Sequence, residues 1–351
     1  MHKSRTRPVR EHEQLDWSKL DVWLKQHIEG LQGDPVVSQY PAGNSNLTYC
    51  LRYPGQDLVV RRPPFGSKVK SAHSMSREYR IMKGLKPVFP AVPEVLAYSD
   101  NEDIIGAEFY VMRRVAGQVA ASGVIPPEWD FDEDDTRQLC IAFWSKLIEL
   151  HQVDYQAAGL GDFGRPEGYV RRQVEGWNAR MQAAATPDGE TFEDIQAWLI
   201  DNMPASEPAP SILHGDYRLD NVILDKDNPF KVIALLDWEI CALGNPLMDL
   251  GNALAYWVEP GDPAVFQTLL MQPSTAPGML TRTEILQLYS EKTGTDVSGF
   301  NFYYTYGIFR NMVILQQIYY RYFHGSTQDE RFKAFGPRVQ AVGKYCRELI
   351  S

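Results

Sequence analysis

Apolar residues at the start of the chain (Leu15, Leu20, Val22, Trp23, Leu24 and Ile28) recur at loosely helical spacing. They predict a leader helix, which Gly30 and Gly33-Asp34-Pro35 stop. Short β-like runs come next. Residues 36–40 lead into a turn cluster, Pro41-Ala42-Gly43-Asn44-Ser45-Asn46, and residues 47–53 leave it. Pro54-Gly55-Gln56-Asp57 predicts a second turn, and Leu58-Val59-Val60-Arg61-Arg62 a third strand ended by Pro63-Pro64. The expected arrangement is an antiparallel meander. A helix over residues 72–85 should follow, because Met75, Tyr79, Met82 and Leu85 share one face. Glu78 falls inside that apolar stripe, and a carboxylate on a buried face needs a cationic partner. Further β-like sequence ends at residues 107–112, and Arg113-Arg114-Val115-Ala116-Gly117 reads as a connector.

Beyond the connector the pattern turns helical. Leu139, Cys140, Phe143, Trp144, Leu147, Ile148 and His151 make a continuous stripe, the mark of a deeply packed helix, with His151 read as structural. Residues 186–211 carry a polar turn, a helix near 192–203 and a proline-bounded loop. Short strands are expected at 211–213, 222–224 and 232–236, and helix-period aromatic segments fill the C-terminal part, including 302–323. A strand-rich part, a connector and a helix-rich part with a small β insertion together predict an α+β fold of two lobes. The expected divisions are a helical leader at 1–34, an N-lobe at 35–115 and a C-lobe at 116–351.

Composition narrows the class. The 351 residues are 44% hydrophobic and 23% charged, enough apolar sequence for a sizeable core. The net charge of −10 argues against a general nucleic-acid binder. No apolar run approaches the ~18 residues of a membrane span. Residues 1–7 are basic without the apolar segment of a signal peptide, and the four cysteines are widely spaced without metal-ligand spacing. A cytoplasmic protein with no nucleic-acid or membrane partner is the expectation.

The densest polar run is His214-Gly215-Asp216-Tyr217-Arg218-Leu219-Asp220-Asn221, wedged between two apolar strands, and a later strand delivers Asp237-Trp238-Glu239 at its end. A hard cation such as Mg²⁺ binds through one or two carboxylates plus substrate phosphates, and Asn221 and Asp237 can supply two such oxygens. Asp216 can accept a proton from an attacking hydroxyl. His214 reads as a loop-holding residue. Asp249 is open between a cap or loop brace and a substrate or metal contact, and Arg218 and Asp220 between loop bracing and phosphate contact.

The pattern HGDYRLDN…VIALLDWE…LGNPLMDLG resembles the aminoglycoside phosphotransferase superfamily, relatives of the protein kinases. The GNSNLTY turn, the RRPP strand end and the SREYRIM helix resemble the kinase-like domains associated with acyl-CoA dehydrogenases. The resemblance implies a two-lobed protein kinase-like fold with nucleotide and metal between the lobes. It implies Asp216 as catalytic base, Asn221 and Asp237 as Mg²⁺ ligands, and Glu78 as partner of the phosphate-gripping cation. Gly43, Asn44, Ser45 and Asn46 would form the turn above the phosphates, and backbone groups from Arg113 to Val115 would meet the adenine. This chain has Arg61-Arg62 where such kinases carry a Lys. Arg61 is placed at that position by strand register, with Arg62 the alternative.

The expected reaction is transfer of the γ-phosphoryl of ATP or GTP, with Mg²⁺, to a hydroxyl of a small-molecule acceptor. The resemblance points to a hydroxyacyl-CoA or related metabolite, with an aminoglycoside as the alternative acceptor. An anionic thioester would favour basic residues at the entrance, such as Arg171, Arg172, Arg310 or Arg321. A pseudokinase-like module that binds nucleotide or acyl ligand without turnover is the reading from a different class, favoured by Arg at the Lys position.

Overall fold

Alternating burial along the strands explains the sheet that dominates the N-terminal half. The structure, a computed structural model, describes residues 6–41, 46–66, 74–120 and 123–351. Among these, nine strands occur: β1 (Val36–Gln39), β2 (Leu47–Tyr53), β3 (Gln56–Arg62), β4 (Val95–Ser99), β5 (Phe109–Arg113), β6 (Ser211–Leu213), β7 (Val222–Leu224), β8 (Val232–Leu235) and β9 (Ala242–Gly244). The chain divides into two compact units. The first comprises Met1–Ser122, Val153–Gly161 and Leu219–Cys241, and the second Gly123–Gln152, Asp162–Arg218 and Ala242–Ser351.

In the first unit, β1-β2-β3-β5-β4 form one antiparallel sheet. One face carries Leu47, Tyr49, Leu51 and Tyr53 of β2, Leu58 and Val60 of β3, and Phe109 and Val111 of β5. These pack with Leu20 and Leu24 of the leader helix Trp17–His27, whose N-terminus Asp16 caps. Because side chains alternate along a strand, Val59 and Arg61 take the other face. The β2–β3 connection is tighter than the four-residue turn expected. Tyr53 pairs with Gln56, and Gly55 takes the left-handed φ of +90° that a two-residue hairpin turn demands. The helix Met75–Leu85 starts behind its Ser74 cap and buries Met75, Glu78, Ile81, Met82 and Leu85. Residues 72 and 73, where the sequence placed its first turn, lie outside the described residues. The β7–β8 hairpin joins this unit through Leu235 N to Ala91 O and through Gln118 paired with Leu224.

The second unit is helical around a two-stranded β6–β9 sheet. The 133–151 stripe is the helix Glu133–His151, closed at its start by an Asp132/Asp135 capping box. The aromatic segment is Phe300–Phe323, and it crosses Pro246–Ala255 where Gly251 and Gly307 meet backbone to backbone. A Cβ on Gly251 would sit 2.3 Å from Tyr303 O, and one on Gly307 would sit 2.4 Å from Gly251 O. The expected 192–203 helix is shorter, Glu193–Asp201, with Phe192 in a left-handed conformation before it. Sequence reasoning had not singled out the helix Tyr169–Ala183 or the strand β9.

Candidate active site

Arg61 and Arg62 are the two residues that stand open at the expected Lys position. Period-two alternation sends Arg61 and Arg62 to opposite faces of β3. Arg62 turns toward the leader side, where it donates from Nη1 to Ile105 O (2.8 Å) and from Nε to Pro63 O (3.0 Å). Arg61, with only 12% of its side chain exposed, meets the helix Met75–Leu85: Nη1 lies 3.3 Å from Glu78 Oε2. Its Nη2 donates to Asp237 Oδ1 at 2.7 Å and Glu239 Oε2 at 3.2 Å. The cationic partner that a carboxylate in an apolar stripe requires is therefore present. Around it, Tyr110 OH donates to Glu78 Oε2 (2.8 Å), and Asn46 Nδ2 donates to Glu78 Oε1 (3.2 Å) and Glu239 Oε2 (3.1 Å).

Burial and charge oppose each other here. Burial works against the Arg61 cation, but Glu78, Tyr110 and Asp237 outweigh it and hold the guanidinium charged. Burial pushes the Glu78 carboxyl up, against the pull of Arg61 and the Tyr110 hydroxyl. Glu78, Asp237 and Glu239 all face the Arg61 guanidinium. The β7–β8 hairpin adds to this end of the unit. Val222 pairs with Leu235, and Leu236 N donates to Asn221 O at 2.7 Å, which brings Asn221 to the strand end that Asp237 leaves. Asp237 sits at φ +71°, a left-handed conformation that costs a non-glycine residue ~1–2 kcal/mol. Oxygen donors of this kind fit a hard divalent cation, although among the described residues no three His, Cys, Asp or Glu groups form a metal cage.

The loop bearing Asp216 belongs to the second unit, and its backbone is fastened by Asp249. His214 N donates to Asp249 Oδ2 (2.7 Å) and Gly215 N to Asp249 Oδ1 (2.8 Å). Asp249 is thus a loop brace, one of the two roles its sequence position left open. Behind it, His151 Nε2 lies 3.1 Å from Asp249 Oδ2 and Nδ1 lies 2.9 Å from Tyr289 OH, so His151 is structural as expected. Burial pushes the Asp249 carboxyl up, but its bonds and charge interactions with His151 and His214 win, and it lies below the ordinary aspartate value. Asp216 N donates to His214 Nδ1 (3.3 Å), which ties the loop to itself. Arg218 Nη1 lies 3.2 Å from Asp216 Oδ1, so Arg218 contacts the expected base directly, and its guanidinium lies over the Tyr256 ring. Tyr217 anchors the loop by stacking on Phe143 and donating to its carbonyl.

The expected site residues therefore fall in two groups. Asn46, Arg61, Glu78, Asn221 and Asp237 lie in the first unit and Asp216 in the second. Gly43, Asn44 and Ser45 lie outside the described residues. Arg113 is the last residue of β5 rather than connector; its N–H is taken by Glu94 O and that of Arg114 by Asp57 O, while Val115 follows the strand. Of the four basic residues expected at an entrance, Arg171 is exposed and paired with Glu175, and Arg172 and Arg321 are exposed, whereas Arg310 is buried. Glu239 was missed as a site residue; its signal was available, a second carboxylate two positions after Asp237.

A model of the phosphotransferase enzyme family (APH) matches residues 36–283. Acyl-CoA dehydrogenase family member 11 of Homo sapiens is 31% identical over 337 residues, covering 94% of this chain and 42% of the human protein. The Gallus gallus protein of the same name is 31% identical over 358 residues, covering 98% of this chain and 44% of its own. The chain spans less than half the length of these curated relatives. Among solved structures, a "putative aminoglycoside phosphotransferase" of Ralstonia eutropha is 31% identical, with a TM-score of 0.80 over 95% of this chain and 99% of that one. Macrolide 2'-phosphotransferase type I, 18% identical, shares the fold at a TM-score of 0.62 over 95% of this chain and 98% of its own. The α+β, protein kinase-like fold expected from the sequence is the fold of these neighbours. Since the matched span takes in both the Arg61–Glu78 pair and the loop held by Asp249, the chain belongs to the phosphotransferase enzyme family.

Proposed function

We propose that this chain transfers the γ-phosphoryl group of ATP or GTP to a hydroxyl of a small-molecule acceptor. The observation that carries this reading is the buried Arg61, one arm on Glu78 and the other on Asp237. That arrangement gives a charged guanidinium a fixed place beside a carboxylate suited to Mg²⁺. In this reading Arg61, held by Glu78, grips the nucleotide phosphates, with Gly43, Asn44, Ser45 and Asn46 as further phosphate-side residues. Val115 offers the connector's backbone to the base, since the Arg113 N–H is committed to the sheet. Asn221 and Asp237 hold Mg²⁺, which when bound neutralises phosphate charge. Arg218 orients the Asp216 carboxylate, which takes the proton of the attacking hydroxyl.

The acceptor is proposed as a hydroxyacyl-CoA or a related metabolite, in keeping with the acyl-CoA dehydrogenase names of the relatives. An aminoglycoside is the second reading, favoured by the name of the Ralstonia eutropha neighbour. Intact Asp216, Asn221 and Asp237 argue for turnover over a nucleotide-binding module without it. The test is Asp216→Asn. The amide still hydrogen-bonds the acceptor but takes no proton, so turnover should fall by about 10²–10⁴-fold. Nucleotide affinity, titrated calorimetrically with a non-hydrolysable ATP analogue and Mg²⁺, should stay near wild type. Undiminished ADP release by the variant would remove Asp216 from the role, and a wild type that binds nucleotide yet phosphorylates no acceptor would favour the binding module.

A further inference from the structure

The guanidinium of Arg61 has two arms with different obligations. Nη1 lies 3.3 Å from Glu78 Oε2, on a carboxylate that Tyr110 OH and Asn46 Nδ2 also hold. Nη2 donates to Asp237 Oδ1 at 2.7 Å, the shorter and stronger contact, and to Glu239 Oε2 at 3.2 Å. Glu239 has a tie of its own, from Asn46 Nδ2 at 3.1 Å. The side chains of Arg61 and Asp237 are 12% and 32% exposed, so water and salt screen their contact only in part. All of these residues belong to the first unit.

The arm on Asp237 holds the carboxylate that a metal would need. An oxygen that already accepts a guanidinium N–H has little left to offer a divalent ion. A dication on the other oxygen of the same carboxylate meets the repulsion of a fixed positive charge. Lysine would oppose the metal less. Its ammonium is one compact point of charge, whereas the planar fork of arginine reaches Glu78 and Asp237 at once. Release of Asp237 does not strand the guanidinium: Nη1 keeps Glu78, and Nη2 keeps Glu239 or takes an incoming phosphate oxygen. Phosphates therefore do what a bare cation does not, since they attract the arm that holds Asp237.

We propose that Arg61 gates the metal site: its Nη2 competes with the divalent cation for Asp237, and the phosphates of the nucleotide lift that competition. The gate rests on the reading of Asp237 as a metal ligand and adds an order of events to it. The nucleotide-free chain disfavours the cation, and metal affinity rises once phosphate has drawn Nη2 aside. The test is binding, so it does not depend on turnover. Mn²⁺ is titrated into the nucleotide-free wild type, Arg61→Lys and Asp237→Asn, followed by the electron paramagnetic resonance signal of the free ion. Calorimetric titration with a non-hydrolysable ATP analogue, with and without Mn²⁺, covers the loaded chain.

Arg61→Lys should bind bare Mn²⁺ about 10- to 100-fold more tightly than the wild type. Both proteins carry the same charge at this position, so a difference reports the contact rather than the field. Mn²⁺ should then improve analogue affinity more for the wild type than for Arg61→Lys, by that same factor, because the loaded chain is ungated in both. If Arg61→Lys does not fold, Arg61→Met with Glu78→Gln takes its place. That pair removes the cation together with its anchoring carboxylate and should show the same gain. Equal affinities for the bare ion would overturn the gate. Where the bare ion binds too weakly to read, an equal effect of Mn²⁺ on analogue affinity in the two proteins would overturn it too. Asp237→Asn decides the underlying reading separately. It should lose the Mn²⁺ effect on analogue affinity, and a variant that keeps the full effect would remove Asp237 as a metal ligand and the gate with it.

Discussion

Arg61 and Asp249 are both buried charges, and different measurements read what each contributes. Replacing Arg61 with Met strands Glu78, 2% exposed at its side chain, without its cation. The expected cost is about 3–5 kcal/mol, read as a lowered urea midpoint. Adding Glu78→Gln to Arg61→Met should restore most of it, because the amide carries no charge, its oxygen accepting from Asn46 while its NH2 donates to the Tyr110 hydroxyl oxygen. Arg61→Lys should cost less than Met but lose the reach to Asp237 and Glu239. For Asp249 the signal is pH. Its carboxyl is held below the ordinary value of 3.8, so the folded state binds its proton less readily than the unfolded chain does. That stabilisation is full above 3.8 and disappears as the pH falls through the depressed folded value. The stability gap between wild type and Asp249→Asn should therefore be widest at neutral pH and close on acidification, a comparison that urea titrations at stepped pH would make.

Among elements, the pairing of Pro246–Ala255 with Phe300–Phe323 is the most sensitive to a single methyl group. Gly251 and Gly307 let the two backbones touch, and the same helix carries Asp249 one half-turn before Gly251. Gly251→Ala must push Tyr303 O away or shift the helix. Overpacking of this kind costs about 1–3 kcal/mol, more than the ~1 kcal/mol gained from helix propensity, so the melting temperature should fall. Elements with strong periodicity were legible before the structure. The stripe of Glu133–His151 and the alternation of β2 and β3 are examples, because burial of one face imposes the repeat. The helix Tyr169–Ala183 was not, for it buries only Val170, Val174 and Met181 and is mostly polar between them, with a glycine inside it. Strand β9 escaped for a different reason: its three residues pair with β6 through backbone bonds that leave little side-chain pattern.

At the scale of the whole molecule, the site was legible where chemistry conflicts with pattern. Glu78 stood out as a carboxylate in an apolar stripe, and its cation was found. Arg310 poses the same conflict in an aromatic helix, but sequence reasoning placed it at an entrance, on the expectation that an anionic thioester favours basic residues there, whereas it is buried. The choice between Arg61 and Arg62 needed the sheet, since both faces of β3 are covered and hydrophobicity marks neither as the outside. Asp249 was visible as an acid near a helix start, whereas its two backbone partners lie 34 and 35 residues away in sequence. The net charge of −10 adds a constraint that no single residue reveals: any anionic ligand must find its cations locally, against the average field.

Asp237 carries a conflict of interest. Its φ of +71° suits glycine, and its carboxylate suits a metal. Selection for thermal endurance alone would weigh the backbone relief of Gly against the lost bond to Arg61, and the substitution that relaxes the chain would erase the group the proposed chemistry needs. Comparing Asp237→Gly with Asp237→Ala isolates the backbone contribution, because both lack the carboxylate and its bond to Arg61. The glycine variant should be more stable by ~1–2 kcal/mol in urea unfolding, with phosphoryl transfer absent from both. A laboratory lineage evolved only for heat tolerance would trade away the carboxylate proposed to hold the metal wherever that backbone gain exceeds the lost ion pair with Arg61.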